Sequence, residues 1–177
     1  LHGRRRSKWA DRGDCRCPFA GSGRRQDPAA LGGRSAGTIE TPYSGLIALD
    51  GNLKLALLDE IATHPAFAKA DLRVAPASPG KAERLRPFLL HRRGTLYVNL
   101  EEAGLLCQDV FSDSAVAAKA LLARGAARVL VTDGGRSATE ADESGHRTQV
   151  PPRVTVARVT GAGDTFMAAH IAAEARG

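Results

Sequence analysis

The alternation of apolar and polar positions changes character near residue 45. Residues 1–40 show neither the two-residue alternation of a strand nor the three-to-four-residue spacing of a helix. Beyond them, "GLIALD" is a short apolar run that predicts a strand. "NLKLALLDEIATHP" then carries Leu53, Leu57, Leu58 and Ile61 at helical spacing, with Asn52 as the expected N-cap and Pro65 as the stop. "DLRVAPAS" predicts a second strand, "KAERLRPFLL" a short helix distorted near Pro87, and "TLYV" a third strand ending at Asn99. "EEAGLLCQ" and "SDSAVAAKALLARG" predict two helices, the latter closed by Gly125 in the C′ position. "ARVLVT" predicts a fourth strand and "GRSATEADESGHRTQV" a polar β-hairpin turning at 143–145. "RVTVARV" predicts a further strand, and a last helix begins near Gly163.

Strands alternating with helices of about ten residues imply βαβ units and a mainly parallel sheet, an α/β class of fold. No internal repeat interrupts this order. Ligands of such sheets sit outside the carboxyl ends of the strands. The polar punctuation falls there: Asp50 and Asn52, then 99–102, 132–135 and 161–164.

Composition narrows the class. The chain has 177 residues, 43% of them hydrophobic and 25% charged, which is enough for one domain with a real core. No apolar run is long enough to span a bilayer, and no charged-then-apolar signal segment opens the chain. Beginning at Leu1 without Met, the sequence reads as a piece of a longer protein. Its net charge of +6 belongs to residues 1–36, whereas residues 37–177 are balanced. Residues 1–40 therefore read as a basic disordered or non-native leader, and 41–177 as the folded domain. An RNA-binding tail would need more aromatic residues than Trp9 and Phe19. Cys15, Cys17 and Cys107 make neither a four-ligand zinc site nor a disulfide framework, which points to a reducing, cytoplasmic setting.

The chemistry concentrates in "TGAGDTF". Gly161 and Gly163 permit a turn with positive φ and leave the inside of the loop bare. A helix starting there has N–H groups without intrahelical partners and the positive end of its dipole, a combination suited to phosphate. Asp164, in the first turn, can act as a base toward a substrate hydroxyl; the alternative is a tight strand-to-helix connection with Asp164 matching the dipole. The glycines are not a Walker loop, since no Lys follows them, nor a dinucleotide fingerprint, since Phe166 stands at the third glycine position. In "NLEE", Asn99 and Glu102 are one helical turn apart. They could organise a Mg²⁺ hydration shell and phosphate oxygens, or form a capping box at a helix start. In "VTDGG", Thr132 and Gly134 end a strand openly enough for a nucleotide to approach; an ordinary hairpin turn is the alternative.

The succession "NLEE", "VLVTDGG", "VTGAGDTF" resembles the C-terminal half of the ribokinase-like (PfkB-type) carbohydrate kinases over about residues 45–177. That resemblance implies a ribokinase-like, Rossmann-like layered fold truncated at both ends, and ATP-dependent phosphoryl transfer to a sugar or nucleoside hydroxyl. It implies Asp164 as catalytic base and backbone donors at Gly161, Ala162 and Gly163. It further implies Asn99 and Glu102 around Mg²⁺ and phosphate, and Thr132 and Gly134 along the nucleotide. Within the family, "ALDGNL", "VAPASPGKAERLRP" and "VARVTGAGDTFMAAHIAAE" resemble the bacterial pseudouridine kinases. Three positions depart from the family pattern: Arg158 where an Asp tied to a monovalent-cation site is common, Ala75 before Pro76, and Ser137 at the third glycine of the strand-end motif. The family's N-terminal half, with its lid and sugar-binding residues, has no counterpart here. An inactive fragment of such a kinase and a basic-tailed nucleic-acid binder stand as alternatives. No membrane partner is expected, and the sequence leaves the oligomeric state open.

Overall fold

Period-two alternation gives the central strands two different faces. In β2 (Asp71–Ala75), β3 (Gly94–Asn99) and β4 (Arg128–Thr132), Leu72, Val74, Leu96, Val98, Val129 and Val131 enter one apolar cluster. Ala75, Tyr97 and Leu130 enter a second, smaller one. The computed structural model describes residues 37–156 and 159–177; the basic segment 1–36, its two cysteines and Arg158 lie outside the described residues. β1 (Leu46–Asp50), β2, β3 and β4 run parallel, and the hairpin of β5 (Ala138–Asp142) and β6 (Gly145–Gln149) continues the sheet antiparallel. The order is β1-β2-β3-β4-β5-β6. This is the mainly parallel α/β sheet expected.

Neighbouring parallel strands joined by crossovers of one hand place every connection on the same side of the sheet. Accordingly α1 (Leu55–Thr63), a 3-10 run (Pro79–Leu90), α2 (Leu100–Cys107) and α3 (Ser114–Ala123) all pack into the larger cluster. Leu58, Leu85, Phe88, Leu121, Ala103, Ala117 and Ala118 are buried there to within 1%. Among the described residues, α4 (Ala162–Glu174) is the helix on the other face, where Met167 is buried and Phe166 and Ile171 pack beside it. α3 ends as expected. Gly125 has φ +106, its N–H donates to the Leu122 carbonyl, and Ala126 N–H donates to that of Leu121. These two bonds are a Schellman closure.

Three expectations need correction. Asn52 does not cap α1: its N–H and Nδ2 donate to the Asp50 carboxylate in a tight turn, and the helix begins three residues later at Leu55 after Lys54. "KAERLRPFLL" belongs to a twelve-residue 3-10 run, Pro79–Leu90, rather than to a distorted α-helix. The buried side chains Ala82, Leu85 and Phe88 recur every three residues, the period of a 3-10 helix, and Pro87 offers no N–H for an α-helical bond. The strand expected at "RVTVARV" is absent from 151–156. Val154 and Val156 are 72% and 67% exposed, and no described strand lies alongside to complete a ladder.

Candidate active site

β3, β4 and the turn before α4 deliver their polar residues to one cleft of about 1170 Å³ at the carboxyl end of the sheet. That is slightly above the usual volume of small-ligand sites, about 300–1000 Å³. Its walls include Asn99, Glu102, Thr132, Gly134, Gly161, Ala162, Gly163 and Asp164, whereas Asp50 and Asn52, also marked by their place at a strand end, do not line it. The cleft is completed by the loop 108–111, with Val110 and Phe111, and by Ala75 and Pro76 at the end of β2.

Of the two glycines expected to turn with positive φ, Gly161 does so and Gly163 does not, because it already lies inside α4. Gly161 is the N-cap of α4 with φ +83, and a Cβ added there would meet nothing within 4 Å. The requirement for glycine is therefore conformational rather than a matter of space. Asp164 lies in the first turn of the helix and is exposed to the cleft. The N–H groups of Gly163 and Asp164 have no acceptor among the described residues. Ala162 differs from the expectation: its N–H donates to the Val159 carbonyl at 3.0 Å, because an i→i+3 bond closes the turn. The Asp164 amide, which the sequence reading had not singled out, stands beside that of Gly163.

Asn99 and Glu102 form the full capping box of α2. The Asn99 side chain accepts from Glu102 N–H at 2.9 Å, and Glu102 Oε2 accepts from Asn99 N–H at 2.8 Å. Burial pushes the Glu102 carboxyl up, the Asn99 amide pulls against it, and the charge of Glu101 adds to the rise. On the adjacent strand Thr132 pairs with Asn99, and Gly134 follows with φ +56. Asp133, 9% exposed, accepts from Arg136 at 2.7 Å. This pair was not singled out in the sequence, although its place directly after β4 was a signal for it.

No group of three His, Cys, Asp or Glu side chains among the described residues could hold a metal by itself. The carboxylates of Glu102, Asp133 and Asp164 line the cleft without converging into such a group.

Further along the same face, α4 is tied to the sheet by charge. Glu174 Oε2 accepts from Arg73 of β2, and its Oε1 accepts from Arg128 of β4, both at 2.5 Å. Arg73 also grips Asp71 with two bonds of 2.7 and 2.8 Å, and Arg128 pairs with Glu140 of β5. Arg73 donates to the Tyr97 hydroxyl at 3.0 Å. A guanidinium can only donate, so the Tyr97 O–H is left to donate to His170 Nδ1, 2.9 Å away. Burial holds His170 below its ordinary range, in keeping with an unprotonated Nδ1.

The sequence profile of the pfkB family carbohydrate kinase matches residues 43–177. No curated protein matches the chain. Among solved structures, a carbohydrate kinase from Agrobacterium tumefaciens is 26% identical with a TM-score of 0.60, over 78% of this chain and 43% of its own. Phosphofructokinase-2 from Escherichia coli in complex with substrates and products is 22% identical with a TM-score of 0.63, over 78% and 47%. An ADP complex of Bacillus subtilis pyridoxal kinase is 22% identical with a TM-score of 0.53, over 67% and 52%. The chain thus spans about half the length of the structures it matches or somewhat less.

Proposed function

Since the chain belongs to the pfkB family of carbohydrate kinases, we propose that its cleft serves transfer of the γ-phosphoryl group of ATP to a hydroxyl of a sugar or nucleoside. The observation that carries this reading is the exposed Asp164 carboxylate beside the bare amides of the turn, facing one cleft with the strand-end residues. In this reading Asp164 takes the proton of the acceptor hydroxyl. The alkoxide oxygen bonds to the γ-phosphorus as the bond to the β-phosphate oxygen breaks, and ADP leaves. The Gly161 turn, with the Gly163 and Asp164 amides, faces the charge that spreads over the transferring group; one such donor is worth about 2.7–4 kcal/mol in a transition state. Thr132 and Gly134 line the nucleotide. Asn99 and Glu102, already bonded to each other, approach the metal and phosphates through water. Mg²⁺, when bound, neutralises phosphate charge there.

Ribose, adenosine, pseudouridine and fructose 6-phosphate are the acceptors to test. Pseudouridine comes from the resemblance of three stretches of this chain, and fructose 6-phosphate from a complex of Escherichia coli phosphofructokinase-2. ATP consumption with one of them, falling about 10²–10⁴-fold in Asp164→Asn while nucleotide binding holds, is the expected result. Equal loss of binding and turnover would remove the base assignment. A second reading is nucleotide binding without transfer, which needs only the Thr132 and Gly134 strand end and the bare amides of the turn. ADP binding with no ATP consumption for any acceptor would select it.

A further inference from the structure

Glu174 lies on α4 ten residues after Asp164. Its carboxylate is held from the sheet. Arg73 and Arg128 stand on β2 and β4, the two neighbours of β3, and each takes one oxygen of this carboxylate. From β3 between them, Tyr97 bonds His170 one turn earlier on the same helix. The apolar contact of α4 is small: Met167 is its one buried side chain, with Phe166 and Ile171 packed beside it. The charged tie lies at the end of α4 away from the cleft, and Asp164 lies at the other, ten residues or about 15 Å along the helix.

We propose that Glu174, gripped by Arg73 and Arg128, is a positioning residue that fixes α4 along the sheet and thereby sets where the Asp164 carboxylate stands in the cleft. The proposal rests on the reading of Asp164 as the base. A helix pivoting about Met167 would carry its first turn with it, and a shift of about 1 Å at a reacting group can cost on the order of 100-fold in rate. His170 and Tyr97 supply the second tie, which keeps α4 from rolling about the first.

The test is a double-mutant cycle on the full chain, joining Glu174→Gln with Asp164→Asn, and Arg128→Gln as an independent cut of the same tie. Three readouts are taken: ADP affinity by calorimetry, ATP turnover with the acceptors named above, and amide exchange along α4. Glu174→Gln and Arg128→Gln are each expected to lower kcat about tenfold or more, with the KM for ATP and the ADP affinity within twofold. In the Asp164→Asn background the same substitutions should cost nothing further. Amide exchange across 165–170 should quicken about tenfold in both, with β3 unchanged. An equal cost in both backgrounds, an unchanged kcat, or unchanged exchange on α4 would overturn the proposal. A parent chain that turns over no acceptor would overturn the proposal together with the transfer reading, and exchange along α4 would then show only whether Glu174 anchors the helix. An Asp164→Asn variant that turns over normally would sink the base assignment, while the exchange result would still show whether Glu174 anchors the helix.

Discussion

Asn99 accepts the Glu102 amide and Glu102 accepts the Asn99 amide, so each side chain of the cleft wall also holds the first turn of α2. Asn99→Ala should therefore lower stability by about 0.5–2 kcal/mol in urea unfolding, the usual cost of a lost N-cap. A fall in turnover well beyond that, measured where the variant is fully folded, would mark a role in the site besides the cap. Gly161 is a simpler case. Its φ of +83 lies where an L side chain costs about 1–2 kcal/mol, and the space around it is open. Gly161→Ala should lose that much stability and displace the onset of α4, seen as weaker ADP binding. His91 and His170 are both held below the ordinary value of 6.5, chiefly by burial. A ring that resists protonation in the fold takes up protons preferentially when unfolded. Stability from these two rings is thus complete above about pH 6.5 and declines as pH falls below it. Urea midpoints between pH 8 and 5.5 should show the decline, flattened in a His91→Gln, His170→Gln double variant.

At the scale of the element, period and closure were legible and the starting point was not always so. The spacing of Leu57, Leu58 and Ile61 announced α1, but Asn52 was claimed by the Asp50 carboxylate two residues away. Short polar side chains satisfy whichever amide lies nearest. The run 79–90 shows the same limit, since a repeat of exactly three apolar positions at 82, 85 and 88 suits a 3-10 helix, while the composition alone suggests a broken α-helix. α2 ends on Gln108, a non-glycine residue with φ +53 and ψ +46. Gln108→Gly should raise stability by about 0.5–1 kcal/mol in chemical unfolding by relieving that conformation.

At the scale of the molecule, four of the exposed apolar residues fall within ten positions of sequence. Val150, Val154, Val156 and Val159 are 66–73% exposed. Exposed apolar residues so close along the chain favour association. A Val154→Thr, Val156→Thr variant should stay in solution at higher concentration, by light scattering, with an unchanged unfolding midpoint. None of the helices described is long and apolar enough to cross a membrane.

Sequence alone determined the alternation of strands and helices, the parallel sheet, and the Gly-Ala-Gly-Asp turn opening a helix, because each depends on residues close together in the chain. It also brought Asn99, Glu102, Thr132, Gly134 and Asp164 into view, since strand ends are where such sheets place their ligands. Tertiary structure decided the rest. It left 151–156 unpaired for want of a neighbouring strand, turned the Ala162 amide back into its own loop, and set the Glu174 carboxylate between two arginines from separate strands. Those outcomes depend on groups far apart in sequence that only the packed sheet brings within bonding distance.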